Sequence, residues 1–148
     1  MSFFHTTARF RKLLENGVVK TTTEHYLIDA ISCTEAEART IKELTPFVAQ
    51  GDVRVSSCKC TPISESFGQD DADRFYLAKV AFITFDERSG AEKRKLSQII
   101  IGATDFNKAL SIFKNEMKST VADYELTALI ETPYLEIFPF CESTPTTK

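Results

Sequence analysis

Apolar and polar residues alternate along the first part of the chain, which is the pattern of strands that bury one face. We predict two strands, Ala8–Leu14 and Val18–Ser32, joined by an Asn-Gly pair that favours the positive φ angles of a two-residue hairpin turn. In that register the numbers of paired residues add up to 33, so Arg9 lies opposite Glu24. The pattern therefore predicts a long hairpin at the start of the fold.

The spacing of apolar residues then becomes helical. Thr34 and Glu37 fit the two ends of a capping box, and the helix behind them is predicted to end at Gly51. A second helix is predicted to begin at Asp105, because apolar residues recur behind this residue at the same spacing. The remaining strands are predicted at Val53–Cys60, Phe75–Phe85, Lys93–Gly102 and Tyr124–Phe138, the last interrupted near Pro133.

The elements of the first half recur in the second. A shift of 71 positions aligns residues 34–67 with 105–138 at seven identities in 34 positions, and it superposes the Thr-Pro pairs at Thr61 and Thr132. We predict one α+β domain over residues 1–141, a tandem duplication of a ββαβ unit with mainly antiparallel sheet, two packed helices and pseudo-twofold symmetry. The repeats span about 6–67 and 75–138, an acidic linker covers 68–74, and residues 142–148 are predicted to be disordered.

Composition narrows the class of protein. The 148 residues suffice for one domain with its own core, and 43% apolar with 26% charged residues is typical of globular proteins. The net charge of −3 disfavours a protein that coats nucleic acid. No apolar run approaches the ~20 residues of a membrane span, and no secretion signal precedes the first strand, so we predict a cytoplasmic protein.

The cysteines and histidines do not suggest catalysis. Cys33, Cys58, Cys60 and Cys141 lack the spacing of a zinc site, and in a reducing compartment we expect them to be small apolar residues of the sheet. His5 and His25 lie in no nucleophile motif, and the five glycines form no phosphate-binding loop.

The acidic run Asp70, Asp71 and Asp73 lacks the glycine and glutamate of a calcium loop, so it is predicted as solvated linker. We therefore expect a protein that is not an enzyme and has no catalytic residue, metal or cofactor.

Several sequence blocks resemble one uncharacterised family. They are Glu24–Ala30, Thr34–Arg39, Ala81–Lys93 and Ala122–Tyr124. The family is a numbered domain of unknown function found in Bacteroidetes and in their gut phages, crAss-like phages included, and the resemblance runs from about Ala8 to Phe140. Its members carry tryptophan near the start of each half, where this chain has none. The resemblance implies a bacterial or phage cytoplasm and brings no activity or catalytic residue.

Two basic clusters are the candidates for a binding site. The first hairpin carries Arg9, Arg11 and Lys20, and the second half carries Lys93, Arg94 and Lys95. Arg9 and Arg11 share one face of a strand, where two guanidinium groups can bind a phosphate or carboxylate. We predict capture of an anionic, nucleotide-like small molecule. The alternative is a solvated face on which Arg9 pairs with Glu24, worth ~0–1 kcal/mol.

Aromatic residues near the chain ends suggest a second class of function. These residues are Phe3, Phe4, Phe138 and Phe140. They are predicted either to form an interface, in a homo-oligomer or with a host or phage protein, or to close the core. Nucleic acid is the least favoured partner, because the total charge is acidic and no RNA-binding aromatic signature is present.

Overall fold

A computed structural model describes residues 2–68 and 72–139. Two compact units are present. The first comprises the chain up to Thr61 together with the chain from Ile137, and the second comprises Pro62–Glu136. Phe140, Cys141, Asp70, Asp71 and the predicted tail at 142–148 lie outside the described residues.

The described chain forms eight strands and two α-helices, which confirms the α+β class. In order they are β1 (Ser2–Leu13), β2 (Val19–Ala30), α1 (Cys33–Leu44), β3 (Val48–Cys60), β4 (Ile63–Gly68), β5 (Arg74–Phe85), β6 (Glu92–Ala103), α2 (Phe106–Met117), β7 (Asp123–Glu131) and β8 (Tyr134–Phe138). A 3₁₀ helix, Thr45–Phe47, joins α1 to β3.

The strands form two four-stranded sheets, one in the order β3-β1-β2-β8 and the other in the order β7-β5-β6-β4. Pairing is antiparallel for β1 with β2 and β3, and for β5 with β6 and β7, whereas β4 runs parallel to β6. Each sheet thus takes its fourth strand from the other half of the chain. The predicted ββαβ unit did not include this exchange of strands between the two halves.

The first hairpin has a different turn from the predicted one. Leu14 N donates to Val18 O at 2.8 Å and Gly17 N donates to Leu14 O at 2.9 Å, around a loop of three residues in which Gly17 has a φ of 83°. A three-residue loop with glycine in the left-handed region is a common alternative to the two-residue turn. The predicted register is therefore wrong by one residue, and Arg9 pairs with Thr23.

Helix α1 begins and ends earlier than predicted. Its N-cap is Ser32, whose Oγ accepts from Glu35 N at 3.2 Å, two residues before the predicted cap at Thr34. The helix ends at Leu44 because Pro46 has no N–H to continue the hydrogen-bond ladder. Gly51 lies within β3 instead of ending the helix. The second cap was predicted correctly, since Asp105 Oδ1 accepts from Lys108 N at 2.8 Å.

Each helix covers one face of a sheet. The first core contains buried residues of β1, β2 and α1, namely Phe4, Ala8, Phe10, Tyr26, Ile28, Ala30, Ala36 and Leu44, together with Phe138. The second contains the corresponding residues of β5, β6 and α2, namely Tyr76, Ala78, Val80, Ile99, Ile101, Ala103, Ala109, Phe113 and Met117. Because strand side chains alternate, the intervening residues of β1 lie on the opposite face of the first sheet.

The ungapped shift of 71 positions relates structurally equivalent residues at the Thr-Pro pairs but not in the helices. Thr61 and Thr132 each donate a backbone N–H and an Oγ1 hydroxyl to a carbonyl, that of Phe3 or Phe75, at the same 2.9 and 2.7 Å. In the helices the shift aligns Ala38, which is exposed, with the buried Ala109. The N-caps Ser32 and Asp105 are 73 positions apart, whereas Thr61 and Thr132 are 71 apart, so one ungapped shift does not relate both the helices and the strands that follow them.

Candidate anion-binding site

Three arginines lie on the side of the first sheet that faces away from α1. Ala8 and Phe10 are buried in the first core, so the alternation of β1 places Arg9 and Arg11 on the other face, where both are exposed. Arg54 of β3 pairs directly with Arg9. We call Arg9, Arg11 and Arg54 the arginine face.

The arginine face has few internal charge partners. Arg11 Nη1 donates to Gln50 Oε1 at 3.0 Å. Within residues 2–68 and 72–139, Arg9 and Arg54 make no ion pair. Like charges directly opposite each other on paired strands are destabilising, so the pairing of Arg9 with Arg54 carries a cost that an anion between them would offset.

A depression of about 420 Å³ adjoins the arginine face. All three arginines line it, as do the hydroxyl-bearing residues Thr21 and Ser56. One carboxylate, that of Asp52, also lies on the lining. The surface therefore presents three guanidinium groups and two hydroxyls against a single acidic group, which favours an anionic ligand.

An irregularity in β3 forms the wall of this depression. Arg9 pairs with Arg54, but Arg11 already pairs with Gln50, so β3 contributes two extra residues between these pairs. Such a bulge bends the strand and re-aims its side chains. Gly51 lies in the bulge with a φ of 77°, a conformation that glycine adopts readily.

Lys20 does not belong to the arginine face. It pairs with Lys12, whose position in β1 is on the side of Phe10 and the helix. Lys12 Nζ lies 3.5 Å from Glu24 Oε2, and the buried Glu24 also accepts a hydrogen bond from Tyr26 Oη. The predicted pair of Arg9 with Glu24 is therefore absent, because the one-residue change of register places that carboxylate on the opposite face.

The second basic cluster is divided between two faces. Lys95 pairs with Phe82, which packs against the second core, and Lys93 lies on the same side of β6. Arg94 lies on the other side, where its Nη2 is 2.9 Å from Glu125 Oε2. Consecutive strand residues alternate between faces, so these three cations do not form one binding surface.

A histidine pair continues the polar residues on the side of the arginine face. His5 Nε2 lies 2.9 Å from His25 Nδ1, and Thr7 Oγ1 lies 3.3 Å from the same nitrogen. Burial first, and then the positive charges of His25 and Lys59, lower the pKa of His5. The neutral form of His5 is thereby favoured, so the positive charge of this side of the sheet comes from the three arginines and Lys59.

The aromatic residues near the ends contribute mainly to the core. Phe4 and Phe138 are buried in the first core, where Phe138 stacks on Tyr26 with ring centroids 5.4 Å apart. Phe3 is half-buried, and Phe140 lies outside the described residues. Of the two predicted roles, closure of the core is the one that fits Phe4 and Phe138.

A second depression, of about 400 Å³, lies in the second unit beside α2. Its lining mixes one cation, Lys108, with the carboxylates of Asp73 and Glu116. This balance of charge does not favour an anion. Among the described residues, no three or more His, Cys, Asp or Glu side chains form a group that could hold a metal ion.

Sequence reasoning missed Arg54, Thr21 and Gln50 as parts of the site. Arg54 could have been found from the alternation of Val53, Arg54 and Val55, which marks it as the outward residue of a strand. Its pairing with Arg9 depends on the order of strands and the bulge, which no local pattern encodes.

Comparison with known proteins gives a family without an activity. Among curated proteins none matches the chain. None of the helices in the described part of the chain is long and apolar enough to cross a membrane. A family model matches residues 2–140, and the chain therefore belongs to the family described as domain of unknown function DUF4494.

Proposed function

We propose that the protein is a non-enzymatic binding protein that captures an anionic, nucleotide-like small molecule on the arginine face. The observation that carries this proposal is the direct pairing of Arg9 with Arg54 beside Arg11, at the edge of a depression of about 420 Å³. Guanidinium groups bind phosphate and carboxylate through paired, charge-assisted hydrogen bonds. Thr21 adds a hydroxyl donor to the same ligand, whereas the Ser56 hydroxyl donates to Thr7 O at 3.3 Å.

The size and chemistry of the depression favour a small molecule over a nucleic acid strand. A volume of about 420 Å³ is within the range of small-ligand sites. Single-stranded nucleic acid is usually bound by stacking of bases on exposed aromatic rings. Phe10, the aromatic residue on the lining of the depression, is buried in the first core, and the chain has a net charge of −3.

The test is a calorimetric titration of the purified protein with pyrophosphate and with a nucleoside triphosphate. A hydrogen bond to a charged group is worth about 1.5–3 kcal/mol, so Arg9→Gln and Arg54→Gln should each weaken binding by roughly 10- to 150-fold. Lys20→Gln is the matched control, since it removes a positive charge from the same hairpin on the opposite face. The affinity of the Lys20→Gln variant for either anion should change less than threefold.

Two results would contradict the proposal. Arginine variants that bind both anions as tightly as the unsubstituted protein would remove the arginine face from consideration. An equal loss in the Lys20→Gln variant would show that net charge, and not the arrangement of the three guanidinium groups, governs binding. Native mass spectrometry of protein taken directly from cells would reveal a ligand of nucleotide mass and the number of subunits together.

We also propose a bacterial or phage cytoplasm as the setting, a homo-oligomeric state, and an origin by tandem duplication with pseudo-twofold symmetry. The duplication is supported by the common strand order of the two sheets and by the identical hydrogen bonds of Thr61 and Thr132.

In a phage, such a protein would sequester a signalling nucleotide of the host. Infection with and without the gene, followed by measurement of host nucleotide pools, tests this role.

A further inference from the structure

Two cysteines of the first unit meet where α1 lies over β3. Cys33 is the first residue of α1, and Cys58 lies in β3 on the side that faces the helix. The Cys33 thiol donates to Cys58 O at 3.6 Å, and the Cys58 thiol donates to Cys33 O at 3.9 Å. Each sulfur is thus directed at the backbone of the other cysteine.

The environment of the pair keeps Cys58 protonated and leaves both cysteines accessible. Burial first, and then the hydrogen bond with the Cys33 thiol, raise the pKa of Cys58 to about 12, so Cys58 is a thiol at neutral pH. Both cysteines are only half-buried, so a small reagent can reach them. Cys60 is exposed and makes its sulfur contact with Thr61 O at 3.8 Å instead.

We propose that Cys33 and Cys58 are a reversible oxidation site, which a small-molecule disulfide converts to an intramolecular disulfide between α1 and β3. The Cys33 thiolate attacks one sulfur of the reagent, giving a mixed disulfide and releasing one small thiol. Cys58 then loses its proton to solvent and attacks the Cys33 sulfur, which releases the second small thiol. The two protein thiols are oxidised, and one small disulfide is reduced to two thiols.

The bridge would link positions 25 residues apart in sequence, and so would restrict the unfolded chain. The chain-entropy model for a loop of this length corresponds to a rise in Tm of about 10 °C for a protein of this size. Closure should become faster as pH rises from 7 to 9, because the thiolate fraction of Cys58 increases over that range. The site is independent of the arginine face.

The experiment is incubation of the full chain with oxidised glutathione, followed by trypsin digestion without reductant and mass spectrometry. Trypsin cuts after Arg39, Arg54 and Lys59, so Cys33, Cys58 and Cys60 fall on separate peptides, 21–39, 55–59 and 60–74. The expected product joins peptides 21–39 and 55–59 and loses two hydrogen masses. Addition of dithiothreitol should restore both peptides and the original Tm.

A Cys60→Ser/Cys141→Ser variant serves as the matched control and should form the same bridge with the same rise in Tm. Oxidation of the full chain needs no substitution at Cys33 or Cys58, so a folding defect cannot obscure the result. A bridge from peptide 55–59 to any other peptide would overturn the proposal. So would glutathione retained on Cys33 without closure, or no change in mass.

Discussion

Truncation of Phe138 tests whether the last described strand completes the first core or offers an aromatic side chain to a partner. Phe138 is 8% exposed, belongs to the first core and stacks on Tyr26. Replacement of a buried phenylalanine by alanine costs about 3–5 kcal/mol, from lost transfer free energy and the cavity that remains. We expect Phe138→Ala to lower the free energy of unfolding by an amount in this range.

Urea denaturation followed by far-UV circular dichroism measures this loss, since the chain contains no tryptophan to report by fluorescence. Leu135→Ala in the same strand is the control, because Leu135 is 52% exposed and should lose less than about 1 kcal/mol. An unchanged unfolding midpoint for Phe138→Ala, together with loss of subunit assembly, would refute the assignment of this side chain to the core.

The remaining predictions concern a glycine contact and a histidine. Gly68→Ala should destabilise the second unit by more than the ~1–2 kcal/mol that alanine costs in the left-handed conformation, because a Cβ there would lie 2.3 Å from Gly102 O. Gly90 also has a positive φ, of 68°, but no atom lies within 4 Å of its Cβ position, so Gly90→Ala should cost only this conformational free energy. Equal losses of stability for the two variants in thermal denaturation would show that the approach of Gly68 to Gly102 O has no effect. The pKa of His5 is lowered in the folded protein, so as pH decreases the unfolded chain takes up a proton on His5 at a higher pH than the folded chain does. Stability should therefore fall as pH decreases below about 6.5. His5→Gln should flatten this dependence between pH 7.5 and 5, and an unaltered slope would exclude His5 as its source.

The periodic elements were predictable because each depends on local residues. The two helices and most strands follow from apolar spacing, and Asp105 was predicted correctly as the N-cap of α2. At α1, however, Ser32 and Thr34 are both acceptable caps, and the structure uses Ser32. Local chemistry permits either choice, and packing of the helix on the sheet decides between them.

The candidate site was predictable in part. Placement of Arg9 and Arg11 on one face requires only the period of a strand, and it holds in either hairpin register. Recruitment of Arg54 depends on which strand lies beside β1 and on two extra residues in β3. These are long-range properties, and a pattern confined to neighbouring residues does not specify them.

The exchange of β4 and β8 between the sheets bears on how the protein is made. During synthesis β1, β2, α1 and β3 emerge first, yet the sheet they form lacks its fourth strand until residue 138 has been added. The second sheet, by contrast, has all four strands once β7 is made. Until β8 has been made, the free edge of β2 is exposed to pairing with other chains. We expect the nascent chain to depend on the ribosome or a chaperone to protect that edge, with the part translated first being the last to be completed.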